Sequence, residues 1–130
     1  MRMLLFAVVA VTACTRADTS VNAVAMVTVD QLDRSLARHQ IQPVDANGEI
    51  TRKRMGIIPG ALLLSDSDSF DLTELPADKA RPLVFYCANT ECGASHHAAD
   101  KAITAGYTHV MVLPAGIAGW VKAGKKTQSI

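Results

Sequence analysis

Cys87 and Cys92 stand five residues apart in the segment Cys87-Ala88-Asn89-Thr90-Glu91-Cys92-Gly93-Ala94-Ser95-His96-His97. A thiolate is the nucleophile and metal ligand of cysteine chemistry. A second thiol on one tight loop can close a disulfide on the first, provided that their Cα atoms come within about 7 Å. Thiolates together with an imidazole also form a soft donor set for zinc or copper(I), and His96 supplies the imidazole. His96 is alternatively a source of a proton or positive charge for Cys87, or a plain polar residue. His97, His39 and His109 read as surface residues.

The elements around this segment decide what it can do. Pro82-Leu83-Val84-Phe85-Tyr86 reads as a compact strand that delivers Cys87 at its C-terminal end. Ser95 reads as the N-cap of a helix with Ala98, Ala99, Ala102 and Ile103 on one face and Gly106 as its stop. A cysteine placed between a strand end and a helix N-terminus sits in positive potential. Such placement commonly brings a thiol pKa below about 7.5. Upstream, Thr28 and Gln31 form a capping-box pattern, and Val29, Leu32 and Leu36 mark one face of a helix running to about His39. Ile41 to Asp45 is a short apolar segment stopped by Asn47-Gly48. Arg52-Lys53-Arg54 reads as a solvated turn, or alternatively as a basic stretch that draws an anionic substrate toward the loop, and Ile57 to Leu64 as a turn followed by a buried strand. Ser65 to Ser69 is a polar loop, Asp71 to Leu75 one helical turn, His109 to Leu113 a strand, and Gly116 to Ala123 a short helix ending at Gly124. Strands interleaved with helices predict an α/β domain: a parallel sheet with helices on both faces and its chemistry at the strand C-termini. Tyr86 and Trp120 are expected to pack in the core.

The 130 residues, 49% hydrophobic and 19% charged, suit one domain. A net charge of +1 gives no basic footprint for nucleic acid. Three cysteines leave one to explain beyond the pair. Met3 to Ala13 is an apolar run of 11 residues after Arg2, short of the roughly 20 that a membrane span needs, and so fits a signal-peptide core. Val11-Thr12-Ala13-Cys14 resembles the lipobox of bacterial lipoproteins, which implies cleavage after residue 13 and lipidation of Cys14. By the same resemblance, Thr15 rather than Asp after that cysteine leans toward the outer membrane. Residues 14–25 read as a tether and 26–130 as the folded domain. Removing residues 1–13 also removes one arginine and leaves acidic and basic side chains equal in number.

Five motifs in register, Gly56-Ile57-Ile58-Pro59-Gly60-Ala61, Leu83 to Cys87, Ser95-His96-His97-Ala98-Ala99, Gly106-Tyr107, and Gly116-Ile117-Ala118-Gly119-Trp120, resemble the rhodanese-like domain. The resemblance implies a central parallel five-stranded sheet and an active cysteine that accepts a sulfane sulfur as a persulfide, which maps to Cys87. It makes Ala88, Asn89, Thr90, Glu91, Gly93, Ala94 and Ser95 the substrate-binding loop, with Cys92 inside it and Asp45 and His96 in support. The chain departs from the family pattern in three ways. Its loop is two residues longer, it contains Glu91 and no Arg or Lys, and the second basic position, two residues after Asp45, is Asn47. A loop without a cation is poorly suited to thiosulfate, a dianion, or to a phosphate.

Four readings follow. Cys87 takes up sulfane sulfur or is oxidised, and Cys92 resolves it by forming a disulfide. The pair is a disulfide in an oxidising compartment, within a binding or structural module. Cys87, Cys92 and His96 hold zinc or copper. Cys87 transfers sulfur alone with Cys92 a bystander. The expectation is a lipid-anchored periplasmic monomer, attached to the membrane only through Cys14. It would need no resident cofactor or metal, and would act on a small sulfur donor and a thiol acceptor, protein thiols included.

Overall fold

The computed structural model describes residues 24–130. The signal segment 1–13, Cys14 and the tether up to residue 23 lie outside them. Five strands, β1 (Ala25–Met26), β2 (Gln42–Asp45), β3 (Leu62–Leu63), β4 (Leu83–Tyr86) and β5 (Val110–Leu113), form one sheet in the order β1-β5-β4-β2-β3. Every pairing is parallel, with Asp45 opposite Tyr86 and Tyr86 opposite Leu113. Three helices connect them, α1 (Val29–Ala37), α2 (Glu49–Met55) and α3 (Ala94–Thr104), and a fourth, α4 (Gly116–Lys122), follows β5.

The central strand shows why two layers of helix are required. All four residues of β4 are buried, and they alternate between two cores, as strand side chains must. Leu83 and Phe85 pack with Ala98, Ala99 and Ala102 of α3 and with Phe70. Val84 and Tyr86 point the other way, against Leu32 of α1 and Ile117 and Trp120 of α4. Small alanines let α3 lie close to the sheet, and the larger side chains of α1 and α4 fill the second core.

The expected capping box at Thr28 is present, with the Gln31 amide donating to the Thr28 hydroxyl and the Thr28 amide to the Gln31 side chain. Leu72–Glu74 forms the expected single turn, of 3-10 type. Four local expectations are corrected. Ala25, placed in the tether, is paired with Met111 in β1. The Arg52-Lys53-Arg54 stretch belongs to α2 rather than to a solvated turn. Ser95 is the second residue of α3, whose N-cap is Gly93. Ile103 is 39% exposed and not on the buried face. Among the described residues no helix is long and apolar enough to cross a membrane.

Candidate functional site

Cys87 follows β4 directly and is 2% exposed. Its carbonyl and that of Ala88 accept hydrogen bonds of 2.8 and 2.9 Å from the amides of Ile117 and Ala118, in the first turn of α4. Gly116 makes this clamp feasible. It has φ +62°, and a Cβ there would lie 2.7 Å from the Cys87 carbonyl oxygen and the Ala88 carbonyl carbon. Only glycine offers both that backbone conformation and that approach.

The loop then turns back on itself. The Glu91 amide donates to the Asn89 side chain, and the Cys92 amide donates to the Asn89 carbonyl. This turn brings Cys92 to a Cα separation of 6.3 Å from Cys87, and the two are joined by a disulfide. Ala88 is half-buried, whereas Asn89, Thr90, Glu91 and Gly93 are exposed. Ala94 and Ser95 open α3, so their amides have no acceptor within the helix. Ser95 is 1% exposed, and its hydroxyl lies 3.4 Å from the Cys87 sulfur. The Cys92 carbonyl oxygen is 3.2 Å from the same sulfur. Ser95 thus faces the Cys87 sulfur rather than capping the helix.

The side chains expected in support divide. Asp45 does not touch the loop. One carboxylate oxygen accepts from the Asn47 amide at 2.7 Å and from Arg52 Nε at 3.2 Å, and the other accepts from the Tyr86 hydroxyl at 2.7 Å. It therefore fixes Tyr86, the residue before Cys87. Arg52 also donates to the carbonyls of Asp45 and Leu64, each at 2.9 Å, so its charge is spent inside the fold. Burial, with the Asp45 carboxylate beside it, holds the Tyr86 phenol well above its ordinary pKa, as a neutral donor. His96 is half-buried on the first turn of α3 and makes no hydrogen bond to either sulfur, while His97 is exposed, 3.2 Å from Asp68. No group of three or more His, Cys, Asp or Glu side chains among the described residues is placed to hold a metal ion.

Sequence reasoning missed Arg52 and the clamp by α4. The signal for Arg52 was a buried-strand aspartate in need of a cation. The signal for the clamp was a glycine placed at a helix start.

Comparison with known proteins follows the same outline. A family model described as Rhodanese-like domain matches residues 28–123. No curated protein matches the chain. Among solved structures, the BH2092 protein from Bacillus halodurans superposes with a TM-score of 0.71 at 21% identity, covering 81% of this chain and 77% of that one. The Rhodanese-like domain from the Anabaena Alr3790 protein gives 0.67 at 24% identity, covering 81% and 79%. SseA from Escherichia coli, of the 3-mercaptopyruvate sulfotransferases, gives 0.66 at 21% identity. There the match covers 83% of this chain and 51% of SseA, about half its length. These likenesses are likenesses of fold.

Proposed function

Because the chain belongs to the rhodanese-like domain family, we propose that it handles sulfane sulfur through a Cys87 persulfide resolved by Cys92. The observation that carries the reading is the Cys87–Cys92 disulfide, closed across a loop at the end of the central strand. In the reduced protein the Cys87 thiolate attacks the outer sulfur of a hydropersulfide, R–S–SH. The Cys87–S–SH bond forms and R–S⁻ leaves. The Ser95 hydroxyl, 3.4 Å from Sγ, and the unpaired amides of Ala94 and Ser95 suit the anionic sulfur. The Cys92 thiolate then attacks Cys87 Sγ and expels HS⁻. Two thiols have become one disulfide, and the sulfane sulfur has been reduced to sulfide. A dithiol, small or on a protein, reduces the disulfide for the next cycle. Alternatively, an external thiol takes the persulfide sulfur before Cys92 does.

A neutral or singly charged persulfide fits better than thiosulfate. Loop residues 88–95 carry no cation, and Arg52 is committed to Asp45 and two carbonyls. The resemblance of Val11 to Cys14 to a lipobox and a disulfide suited to an oxidising compartment support a periplasmic, lipid-anchored location. In the rival reading, the same disulfide only staples a binding module.

Intact mass after reduction and exposure to glutathione persulfide separates the two. Wild type should lose about 2 Da and release sulfide. Cys92→Ser should gain about 32 Da and keep it. Cys87→Ser should do neither. A wild type that reoxidises in air but is untouched by persulfide under nitrogen leaves the staple.

A further inference from the structure

A concavity lies at the opposite end of the central strands from Cys87. It has a volume of about 650 Å³, within the range of small-molecule sites. Gln42, which begins β2, and Arg81, which precedes β4, both line it. The length of β4, roughly 13 Å of extended chain, thus separates it from the nucleophile. No step of the sulfur chemistry above uses it.

Its walls are apolar where Leu36, Ile41, Pro59 and Trp120 meet. Trp120 is held in place, its indole N–H donating to the Lys126 carbonyl at 2.7 Å. The polar lining is unbalanced in sign. Arg81, Lys125 and Lys126 face a single carboxylate, Asp33. That carboxylate is already engaged, because Lys125 lies 2.8 Å from Asp33 and 3.3 Å from Asp30. Arg81 and Lys126 are exposed, and among the described residues neither side chain has a carboxylate partner. Trp120 is only 2% exposed and shows the concavity a small part of its ring, so Leu36 and Pro59 supply the more accessible apolar lining. An apolar concavity with two uncommitted cations complements a molecule with a flat apolar body and one negative group.

We propose that this cavity binds a small planar organic anion, its apolar body against Leu36, Pro59 and the exposed part of Trp120 and its carboxylate or sulfonate between Arg81 and Lys126. Trp120 is the only tryptophan of the chain, so its emission reports the site. Naphthalene-2-sulfonate, titrated into the full chain, should bind one equivalent saturably and change that emission. Naphthalene-2-methanol, which lacks the charge, and ethanesulfonate, which lacks the rings, should each bind about tenfold more weakly or worse. The double variant Arg81→Glu/Lys126→Glu, at exposed positions that leave the core intact, should lose at least about tenfold in affinity for the sulfonate. Lys53→Glu on α2, away from the cavity, should bind like wild type. Equal binding of the neutral isostere, an unchanged double variant or no saturation would overturn the proposal. So would a dimer whose interface covers Trp120 and excludes the probe.

Discussion

The hydroxyl of Tyr86 donates a 2.7 Å hydrogen bond to Oδ2 of Asp45, 41 residues earlier in the chain, where both residues are fully buried. The same hydroxyl accepts from the Ile58 amide at 3.0 Å. The residue before Cys87 is therefore tied at once to β2 and to the turn that leads into β3. The position of Cys87 depends on this anchoring of β4 as much as on the loop that follows.

Tyr86→Phe should keep the ring in the core and remove both bonds. It strands one carboxylate oxygen and one amide in a buried site, at a cost of about 1–3 kcal/mol. Urea denaturation measures it. A change within about 0.5 kcal/mol, the range of an inconsequential surface substitution, would show that the network contributes nothing.

Arg52 and Lys53 are neighbours in sequence with opposite fates. Arg52→Met leaves the Asp45 charge buried without its partner, and should cost about 3–5 kcal/mol. Lys53 pairs with Glu49 across one turn of α2, with both side chains about two-thirds exposed or more. Lys53→Met should therefore change stability by about 0.5 kcal/mol or less. The two denaturation midpoints, compared side by side, check the contrast.

Gly116→Ala should both destabilise the protein and blunt Cys87. Its φ of +62° penalises any side chain by roughly 1–2 kcal/mol, and the new methyl collides with the Cys87 carbonyl. Gly48, with nothing within 4 Å of an added Cβ and φ −80°, is the matched control. Gly48→Ala should be nearly silent in both denaturation and the rate of Cys87 alkylation after reduction. Gly116→Ala should slow or misdirect that alkylation.

Most of the site was legible because its determinants are local. Apolar β-formers from Leu83 to Tyr86 put Cys87 at a strand end, and the five-residue spacing brought Cys92 within reach. What stayed hidden was long-range. Glu49–Met55 has Gly48 as an N-cap without a side-chain bond, and exposes Ile50 to 76%, so no apolar face announces a helix. Arg52 is buried only because Asp45 and Tyr86, remote in sequence, require its charge. Ser95 carries the side chain of a good cap, yet Gly93 starts the helix and the hydroxyl turns to sulfur. No propensity encodes that choice between two local partners.

Acidification should loosen one segment first. Asp66 is held below its ordinary pKa of 3.8 by the Ser69 amide, then by the Asp68 amide and the Ser69 hydroxyl. Asp71 is lowered chiefly by the Thr73 amide and hydroxyl, and Glu74 by the Ser65 hydroxyl and amide. Carboxylates with depressed folded values stabilise the fold above their unfolded pKa, and that contribution disappears as pH falls through the folded one. The contribution of these three carboxylates should thus be flat above about pH 5 and decline below about pH 4. Carboxyl NMR titrations should give midpoints below the ordinary Asp and Glu values at these three residues. Ordinary midpoints there would remove the segment as the acid-sensitive part of the fold.

The sheet is longest at its centre and shortest at its margins. β2, β4 and β5 have four residues each, whereas β1 and β3, the outer strands, have two. An outer strand offers unpaired amides and carbonyls on which a foreign strand can grow. Among the described residues each margin presents only two residues of strand, a short template for another chain. Cys87 thus follows the central strand of a five-stranded sheet whose described rims give fibril-like addition little to build on.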